Sequence, residues 1–303
     1  MALTLTALPS PEPDPRPPLF LCADLLEAFT LDATAAYEDR QHGRTRGART
    51  GFADLDADLG GYLAPGLHVL HGAPGTGKTA LALQMAAATG CPALYVTTEM
   101  GALELFRRVV ARVTGTYLGR FRTGELHPDH VAELAQRTAQ AVPELAILDA
   151  TTAPAPLEEV RLALALAQGL SPHALLVIDS LHTWAASLAA VTRVDRFDDV
   201  TEYKSLNFGI LQLVALASER SVPILAIAER NRASKAGGMD ASAGTRKFEY
   251  SAATVLELDK DADAVPDREA TVAVKLKVTK NRNGEAYRSH PMRFSGRLQS
   301  FTA

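Results

Sequence analysis

Short apolar runs and longer stretches of helical spacing follow one another along most of the chain. This order predicts strands and helices in alternation, which favours an α/β fold built on a mostly parallel sheet flanked by helices. The strands are expected at 67–70, 93–97, 145–149, 174–178 and 223–228. The helices are expected near 80–87, 101–114, 128–142, 156–168 and 201–219.

The pattern changes after Tyr250. Three further strand-like segments, at 254–259, 271–279 and 286–294, follow one another without a helical stretch between them. We therefore expect the sheet to end in antiparallel strands. These segments complete a predicted domain in which a parallel α/β core is extended by strands at the C-terminal side.

The first 49 residues differ from the rest of the chain in composition. Proline recurs throughout residues 1–18, and because it excludes helix and central strand we expect an extended, disordered tail there. From Leu19 to Tyr37 apolar residues recur at helical spacing, which predicts a short amphipathic helix whose apolar face needs a partner surface. Residues 39–49 are polar and contain glycine, as is typical of a linker. The expected division is therefore a tail at 1–18, a linker helix with a polar linker at 19–49, and one folded domain at 50–303.

The composition excludes several classes of protein. A 303-residue chain with 47% apolar residues can bury a large core, and its net charge of −4 gives no overall basic signature of nucleic-acid binding. Only Cys22 and Cys91 are present, which excludes a disulfide framework and zinc-finger spacing and fits a reducing compartment. The pair His127 and His130 is interpreted as a solvated turn. Without a membrane-spanning run or a secretory signal, we predict a cytoplasmic protein with no membrane partner.

The segment GAPGTGKT matches the phosphate-binding pattern G-x-x-x-x-G-K-[ST] between a predicted strand and a predicted helix. Glycines let the backbone wrap a phosphate and direct its N–H groups at the oxygens, and the helix N-terminus adds a positive dipole end. Lys78 would neutralise the β- and γ-phosphates, and Thr79 would bind Mg²⁺. We therefore expect ATP and Mg²⁺ as cofactors. The expected nucleotide-binding residues are Gly72, Ala73, Pro74, Gly75, Thr76, Gly77, Lys78 and Thr79.

Two carboxylates follow predicted strands and could join this site. Asp179 ends the run Leu175–Ile178, where a phosphate-loop ATPase needs a carboxylate for Mg²⁺ or its waters, although many buried strands end in aspartate. Glu99 follows the strand at 93–97 and could polarise the attacking water, because ligands of α/β sheets bind at the C-terminal ends of the strands. The alternative for Glu99 is a surface residue that caps the helix beginning near Ala102.

The chain resembles the RecA-like C-terminal motor domain of DnaB-type replicative helicases over about residues 50–303. A series of short motifs occurs here in the order found in that family. They are Thr50-Gly51-Phe52 with Asp54-Leu55-Asp56, Gly60-Gly61, the phosphate loop, Thr98-Glu99-Met100, Arg122-Thr123-Gly124 with Leu126, Val177-Ile178-Asp179, Val222-Pro223, Asn231-Arg232 and Lys280-Asn281-Arg282-Asn283-Gly284.

The resemblance implies roles for three residues. By it, Glu99 is the catalytic glutamate, and Lys280 and Arg282 are cationic fingers that reach the γ-phosphate bound by a neighbouring subunit. Arg282 lies between two predicted strands, where a solvated hairpin charge is the alternative. The resemblance further implies a RecA-like P-loop NTPase core and a homo-oligomeric ring, expected to be a hexamer, that acts on single-stranded DNA.

The sequence departs from the helicase pattern in two places. Only about 50 residues precede Thr50, which is too few for the helical domain that recruits primase beside a linker helix, so we do not expect primase coupling. Glu229 lies where the family has a glutamine that senses the γ-phosphate, and a carboxylate there would repel the triphosphate unless it is protonated, paired or turned away. Glu229 is nevertheless included among the expected nucleotide-binding residues.

The segment from Arg230 to Tyr250 is the candidate DNA-binding loop. By the resemblance it faces the central channel of the ring, and it carries five basic side chains against two acidic ones. The alternative is a solvated surface loop whose charges have no partner. The expected nucleic-acid contacts are Arg230, Arg232, Lys235, Arg246 and Lys247.

The sequence therefore predicts an ATP-hydrolysing, ring-forming DnaB-like DNA helicase or single-stranded DNA translocase. The alternative from another class is a RecA-like or KaiC-like regulatory or repair-associated ATPase, whose nucleotide cycle controls assembly or partner binding without unwinding DNA. A kinase that uses the same phosphate loop is a third interpretation, for which the sequence offers no recognisable lid or acceptor pocket.

Overall fold

Nine strands form one continuous sheet in the part of the chain that the structure, a computed structural model, describes. The described residues are 19–191, 202–229, 250–260 and 270–303. Contacts divide the chain into two units, Met1–Arg44 and Thr45–Ala303, and the sheet belongs to the second. Among the helices of the described residues, none combines the length and the apolar character needed to cross a membrane.

The described part of the first unit is helical. A short 3₁₀ turn, Cys22–Leu25, leads into helix α1, Leu26–Gln41, so the predicted helix is present but extends further towards the C-terminus. Leu31 projects from the side of α1 opposite to Leu26 and Phe29, because it lies five residues after the first and two after the second. Its apolar residues are therefore not confined to one face, and the prediction of an amphipathic helix is wrong.

The elements of the second unit agree closely with the predicted pattern. The helices are α2 Ala53–Asp58, α3 Lys78–Ala86, α4 Ala102–Thr114, α5 Arg120–Thr123, α6 Pro128–Ala141, α7 Leu157–Gln168, α8 Leu181–Val191 and α9 Glu202–Arg220. The strands are β1 Gly66–Gly72, β2 Ala93–Thr97, β3 Leu145–Asp149, β4 Leu175–Asp179, β5 Pro223–Glu229, β6 Thr254–Lys260, β7 Thr271–Asn281, β8 Arg288–Ser295 and β9 Ser300–Thr302. Helices α2, α5 and α8 and strand β9 were not predicted from the sequence.

The strand order is β3-β2-β4-β5-β1-β6-β7-β8-β9. All pairs from β3 to β6 are parallel, and β7, β8 and β9 add antiparallel pairs. The predicted α/β fold with antiparallel C-terminal strands is thus confirmed, with one correction. Strand β6 runs parallel to β1, with Val69 opposite Val255, so the change of direction falls between β6 and β7.

Helices bury both faces of the parallel part of the sheet. Along β5, Leu225 points into the core on the α3 side, while Ile224 points into the core on the α9 side. This alternation explains why the strands read as almost continuous apolar runs. Helix α8 packs into the core on the α9 side, where Trp184 is fully buried. Leu181, Trp184, Ala185 and Leu188 of this helix are all buried and lie at the spacing of one helix face, although the helix was not predicted from the sequence.

One buried histidine makes the stability of this fold depend on pH. His68 on β1 is 1% exposed, and its Nε2 donates to the carbonyl oxygen of Ala64 at 2.7 Å. Desolvation by burial lowers the pKa of His68 to about 4, although the hydrogen bond to Ala64 opposes the shift. In the unfolded chain this side chain binds a proton when the pH falls below 6.5, its ordinary pKa. In the folded chain it binds a proton only when the pH approaches 4. The stability from neutral His68 is therefore complete above pH 6.5 and is lost as the pH falls towards 4.

The variant His68→Gln should lose this pH dependence while keeping an amide that can donate to Ala64. Between pH 7 and pH 5, the free energy of unfolding of the parent should fall by about 2 kcal/mol more than that of the variant. Urea denaturation measures both. His130→Gln, at an exposed histidine of α6, is the control and should follow the parent. Equal pH dependence in the parent and in His68→Gln would contradict the prediction.

Candidate functional site

The phosphate-loop sequence forms the connection between β1 and α3. Gly75 and Gly77 have φ of +76° and +96°, in the left-handed region that favours glycine. A Cβ on Gly72 would lie 2.3 Å from the carbonyl oxygen of Leu258 on β6, so a side chain there would force the strands apart. The loop therefore has the glycines that its tight path requires, and the N-terminus of α3 opens into it.

Lys78 lies at the start of α3 and folds back over the loop. Its Nζ donates to the carbonyl oxygens of Gly72 at 3.0 Å and Ala73 at 3.1 Å. Partial burial lowers the pKa of Lys78, while the negative charges of Glu229, Asp179 and Glu99 oppose that shift. An ammonium group is thus surrounded by carboxylates, in a position from which it can also reach an anionic ligand.

Asp179 provides a buried carboxylate at the end of β4. It is 4% exposed, and its Oδ2 accepts from the hydroxyl of Tyr95 at 2.7 Å. Burial raises the pKa of Asp179, and hydrogen bonds from Tyr95 and Thr79 oppose the rise. Burial and the adjacent Asp179 charge raise the pKa of Tyr95 well above 10, so the phenol stays a neutral donor. The hydroxyl of Thr79 and the carboxylate of Asp179 are oxygen ligands of the kind that Mg²⁺ prefers, so these residues fit the expected metal.

Glu99 stands on a tight turn between β2 and α4. The hydroxyl of Thr97 donates to the carbonyl oxygen of Met100 at 2.6 Å and accepts from its N–H at 3.3 Å. The N-terminus of α4 is capped from β3, because Asp149 Oδ2 accepts from the N–H of Ala102 at 2.6 Å. Hydrogen bonds from Thr151 and Ala102 lower the pKa of Asp149. Since Asp149 performs the capping, the alternative in which Glu99 serves as the helix cap is wrong.

The predicted carboxylates converge on the phosphate loop. A cleft of about 360 Å³ is lined by loop residues together with Glu99, Asp179 and Glu229. Glu229 is the last residue of β5 and lies opposite Gly72 in the parallel register, next to the start of the loop. The hydroxyl of Thr183 on α8 donates to Glu99 Oε1 at 3.4 Å. Such an arrangement can bind a triphosphate and a divalent cation and can hold a water molecule beside a carboxylate.

Several further residues of this cleft were not predicted from the sequence, among them Arg108 on α4, Phe294 on β8 and Gln299 before β9. Arg108 donates to Gln299 Oε1, and Phe294 stacks on Phe301 with ring centroids 4.5 Å apart. A Cβ on Gly77 would lie 2.9 Å from Phe301, so this ring pair closes over the phosphate loop. None belongs to a recognisable sequence motif, because folding brings these residues together from distant parts of the chain.

The two predicted cationic fingers, Lys280 and Arg282, lie outside this cleft. Neither lines the cleft that holds Lys78 of the same chain. Lys280 Nζ donates to the carbonyl oxygen of Tyr250 at 3.2 Å, and Arg282 Nη2 donates to the same oxygen at 2.7 Å. Arg282 follows the end of β7 directly, in the connection to β8. The predicted DNA contacts lie outside the described residues: Arg230, Arg232, Lys235, Arg246 and Lys247.

Comparison with known proteins agrees with this architecture. A family model, that of the DnaB-like helicase C-terminal domain, matches residues 47–303. A solved ATPase domain aligns with a TM-score of 0.70 at 17% identity, over 91% of this chain and 97% of that chain. A structure of a DnaB-like replicative helicase, described with its interactions with primase, aligns with a TM-score of 0.70 at 15% identity, over 92% of this chain and 70% of that chain.

A further solved structure shares the fold. A KaiC-like protein from the hyperthermophilic archaeon Pyrococcus horikoshii aligns with a TM-score of 0.53 at 19% identity, over 84% of this chain and 96% of that chain. No curated protein sequence matches the chain. At these identities the structural likenesses establish the RecA-like fold alone, whereas the family model covers most of the chain.

Proposed function

Because the chain belongs to the DnaB-like helicase C-terminal domain family, we propose that it is a ring-forming motor that hydrolyses ATP and translocates on single-stranded DNA. The observation that carries the ATPase part is the convergence of Lys78, Glu99 and Asp179 on one cleft at the phosphate loop. A hexamer is the proposed assembly. Primase coupling is not part of the proposal.

Each residue of the cleft has a separate task in this proposal. Lys78 and the N–H groups of the loop bind the phosphates, and Thr79 and Asp179 hold the metal, with Tyr95 fixing the Asp179 carboxylate. Magnesium, when bound, would supply positive charge that neutralises the charge developing on the phosphates. Glu99 orients the attacking water and accepts its proton, and the anchored turn between β2 and α4 keeps the carboxylate in place.

Two substitutions should separate binding from hydrolysis. Lys78→Ala should lose both nucleotide binding and turnover, because it removes the phosphate-neutralising charge. Glu99→Gln should bind ATP as the parent does, with turnover reduced by a factor of about 10² to 10⁴, because only the proton acceptor is lost. Fluorescent nucleotide binding and phosphate release measure the two quantities. Glu159→Gln, at an exposed glutamate of α7, is the matched control, and near-normal turnover in Glu99→Gln would contradict the assignment.

The ring part of the proposal rests on Lys280 and Arg282. Both cations lie outside the cleft of their own chain, as side chains that complete a neighbouring subunit's site would. Cations supplied across a subunit interface can raise the rate of phosphoryl transfer by a factor of about 10³ to 10⁵. A subunit of this kind hydrolyses ATP efficiently only inside an assembly.

Mixing two inactive variants should restore activity. In a mixture of Arg282→Ala and Glu99→Gln subunits, some interfaces combine an intact Glu99 with an intact Arg282, and those sites should turn over. Phosphate release should therefore exceed that of either variant alone. As a control, Arg282→Ala is mixed with the double variant Arg282→Ala/Glu99→Gln, which offers no intact finger and should give no recovery. Full turnover by dilute monomers of the parent would exclude catalysis across the interface.

A regulatory or repair-associated ATPase is the second candidate, and Glu229 is the observation that favours it. Glu229 lines the cleft beside Lys78 at the end of β5, where its negative charge opposes that of a triphosphate. A site that senses the γ-phosphate through a carboxylate instead of a glutamine could use its nucleotide cycle to control assembly or partner binding instead of translocation on DNA. The DNA dependence of turnover separates the two candidates.

Single-stranded DNA should stimulate turnover of the parent, with a marked dependence on salt. The proposal places the DNA contacts on the basic residues Arg230, Arg232, Lys235, Arg246 and Lys247. The double variant Arg246→Ala/Lys247→Ala should bind single strands more weakly and lose the stimulation, with its basal turnover nearly unchanged. Fluorescence anisotropy and phosphate release test this, and Lys260→Ala with Lys275→Ala is the charge-matched control. If DNA does not change the turnover of the parent, the translocase proposal fails and the regulatory ATPase takes its place.

A further inference from the structure

The loop that carries Arg282 packs against the C-terminal end of α2. Asn281 Nδ2 donates to the carbonyl oxygen of Asp58 at 2.8 Å and to that of Glu285 at 3.2 Å. Its Oδ1 accepts from the N–H of Asn283 at 3.0 Å. One amide side chain therefore braces the loop internally and ties it to a separate element of the fold.

Gly284 brings the same two elements into close contact. A Cβ on Gly284 would lie 2.3 Å from the carbonyl oxygen of Asp58 and 2.8 Å from Asn281 Nδ2. Opposite it, a Cβ on Gly60 would lie 3.4 Å from the carbonyl oxygen of Asn283. The fit is therefore backbone against backbone, and a methyl group at Gly284 would displace the loop from α2.

Helix α2, against which the loop packs, is itself held in place by several contacts. Leu55 of α2 is fully buried, and Asp56 Oδ1 accepts from the N–H of Thr50 at 2.7 Å. The carboxylate of Asp58 lies 3.1 Å from Nε2 of His290 on β8. Thr50-Gly51-Phe52 with Asp54-Leu55-Asp56, one of the motifs of the family resemblance, therefore anchors the helix against which the loop packs.

The other side of the loop is fixed by the residues before β6. The N–H of Arg282 donates to the carbonyl oxygen of Ala253 at 2.9 Å, so the backbone of Arg282 is hydrogen-bonded although its side chain is exposed. A backbone held at both sides loses little conformational entropy when its side chain engages a ligand. Such preorganisation is valuable where a charge must reach a reacting phosphate, because a misplacement of about 1 Å can reduce a rate a hundredfold.

We infer that Asn281 is a positioning residue for catalysis across the subunit interface, since with Gly284 and the C-terminal turn of α2 it preforms the loop that presents Arg282. The inference rests on the proposed role of Arg282. Asn281 itself does not line the cleft of its own chain, where the nucleotide and metal are proposed to bind. Its effect on turnover is exerted at the site of the neighbouring subunit.

The variant Asn281→Ala should lower kcat by between about tenfold and a hundredfold, with KM for ATP and the mass of the ATP-bound assembly unchanged. The decisive readout is complementation: mixing with Glu99→Gln subunits should restore turnover, as for Arg282→Ala, because the defect lies on the side of the interface that presents the finger. A merely structural role would lower the melting temperature or the assembly mass instead and would not follow this pattern.

Three further variants complete the test. Gly284→Ala should reproduce the loss of kcat through the clash with Asp58. Gly119→Ala should behave like the parent, because φ at Gly119 is negative and an added Cβ would meet no atom of the described residues within 4 Å. Asn281→Asp keeps the acceptor for Asn283 but loses both donated hydrogen bonds, and it should resemble Asn281→Ala. It replaces Asn281→Ala if that variant does not assemble, and failure of both to assemble would overturn the positioning role in favour of a structural one.

Arg282→Ala, measured in parallel, separates this inference from the proposed function. Full turnover in Arg282→Ala would overturn the proposal of catalysis across the interface. A large loss in Arg282→Ala together with normal kcat in Asn281→Ala and Gly284→Ala would keep that proposal and overturn the positioning role. A large loss of kcat in Asn281→Ala that mixing with Glu99→Gln subunits does not restore would also overturn the positioning role.

Discussion

The pairing of β1 with strands on both of its sides is the constraint on which the site depends. At the end of β1, Gly72 lies opposite Glu229 of β5 and opposite Leu258 of β6. Because Gly72 has no side chain, the carbonyl oxygen of Leu258 can come close to it, and the phosphate loop leaves the sheet between two fixed strands. The position of Lys78 and the approach of Glu229 to the cleft both follow from this register.

The cleft holds more carboxylates than cationic side chains, and a hydrogen bond holds the most buried carboxylate in place. Lys78 is the ammonium group at the centre, and Glu99, Asp179 and Glu229 surround it with negative charge. Tyr95 donates to the most buried of these carboxylates, so that Asp179 keeps a fixed orientation in spite of its desolvation. A cleft with this excess of negative charge is suited to a ligand that arrives with its own cation, as a triphosphate with magnesium does.

The parts of the site that could be predicted from sequence are those whose chemistry is local. The phosphate loop, Asp179 and Glu99 each follow a strand signal directly, and the ends of parallel strands meet at one edge of the sheet. Arg108 and Gln299 could not be found in this way, since their contact depends on how β9 packs against the helices. The direction of β6 was missed for a similar reason, because an apolar run does not reveal which neighbour the strand joins.

Lys280 and Arg282 share one acceptor within their own chain, and this sharing bears on the proposed contact between subunits. In a single chain both cations already donate to the carbonyl oxygen of Tyr250, so an unassembled subunit presents them in hydrogen-bonded form. On the proposed function, a phosphate bound by a neighbouring subunit would replace this carbonyl as the acceptor, so the loss of the bonds to Tyr250 would offset part of the free energy of the new ones. Under the proposed function, this offset would make the contact between neighbouring subunits more readily reversible than one made by cations that have no acceptor in their own chain.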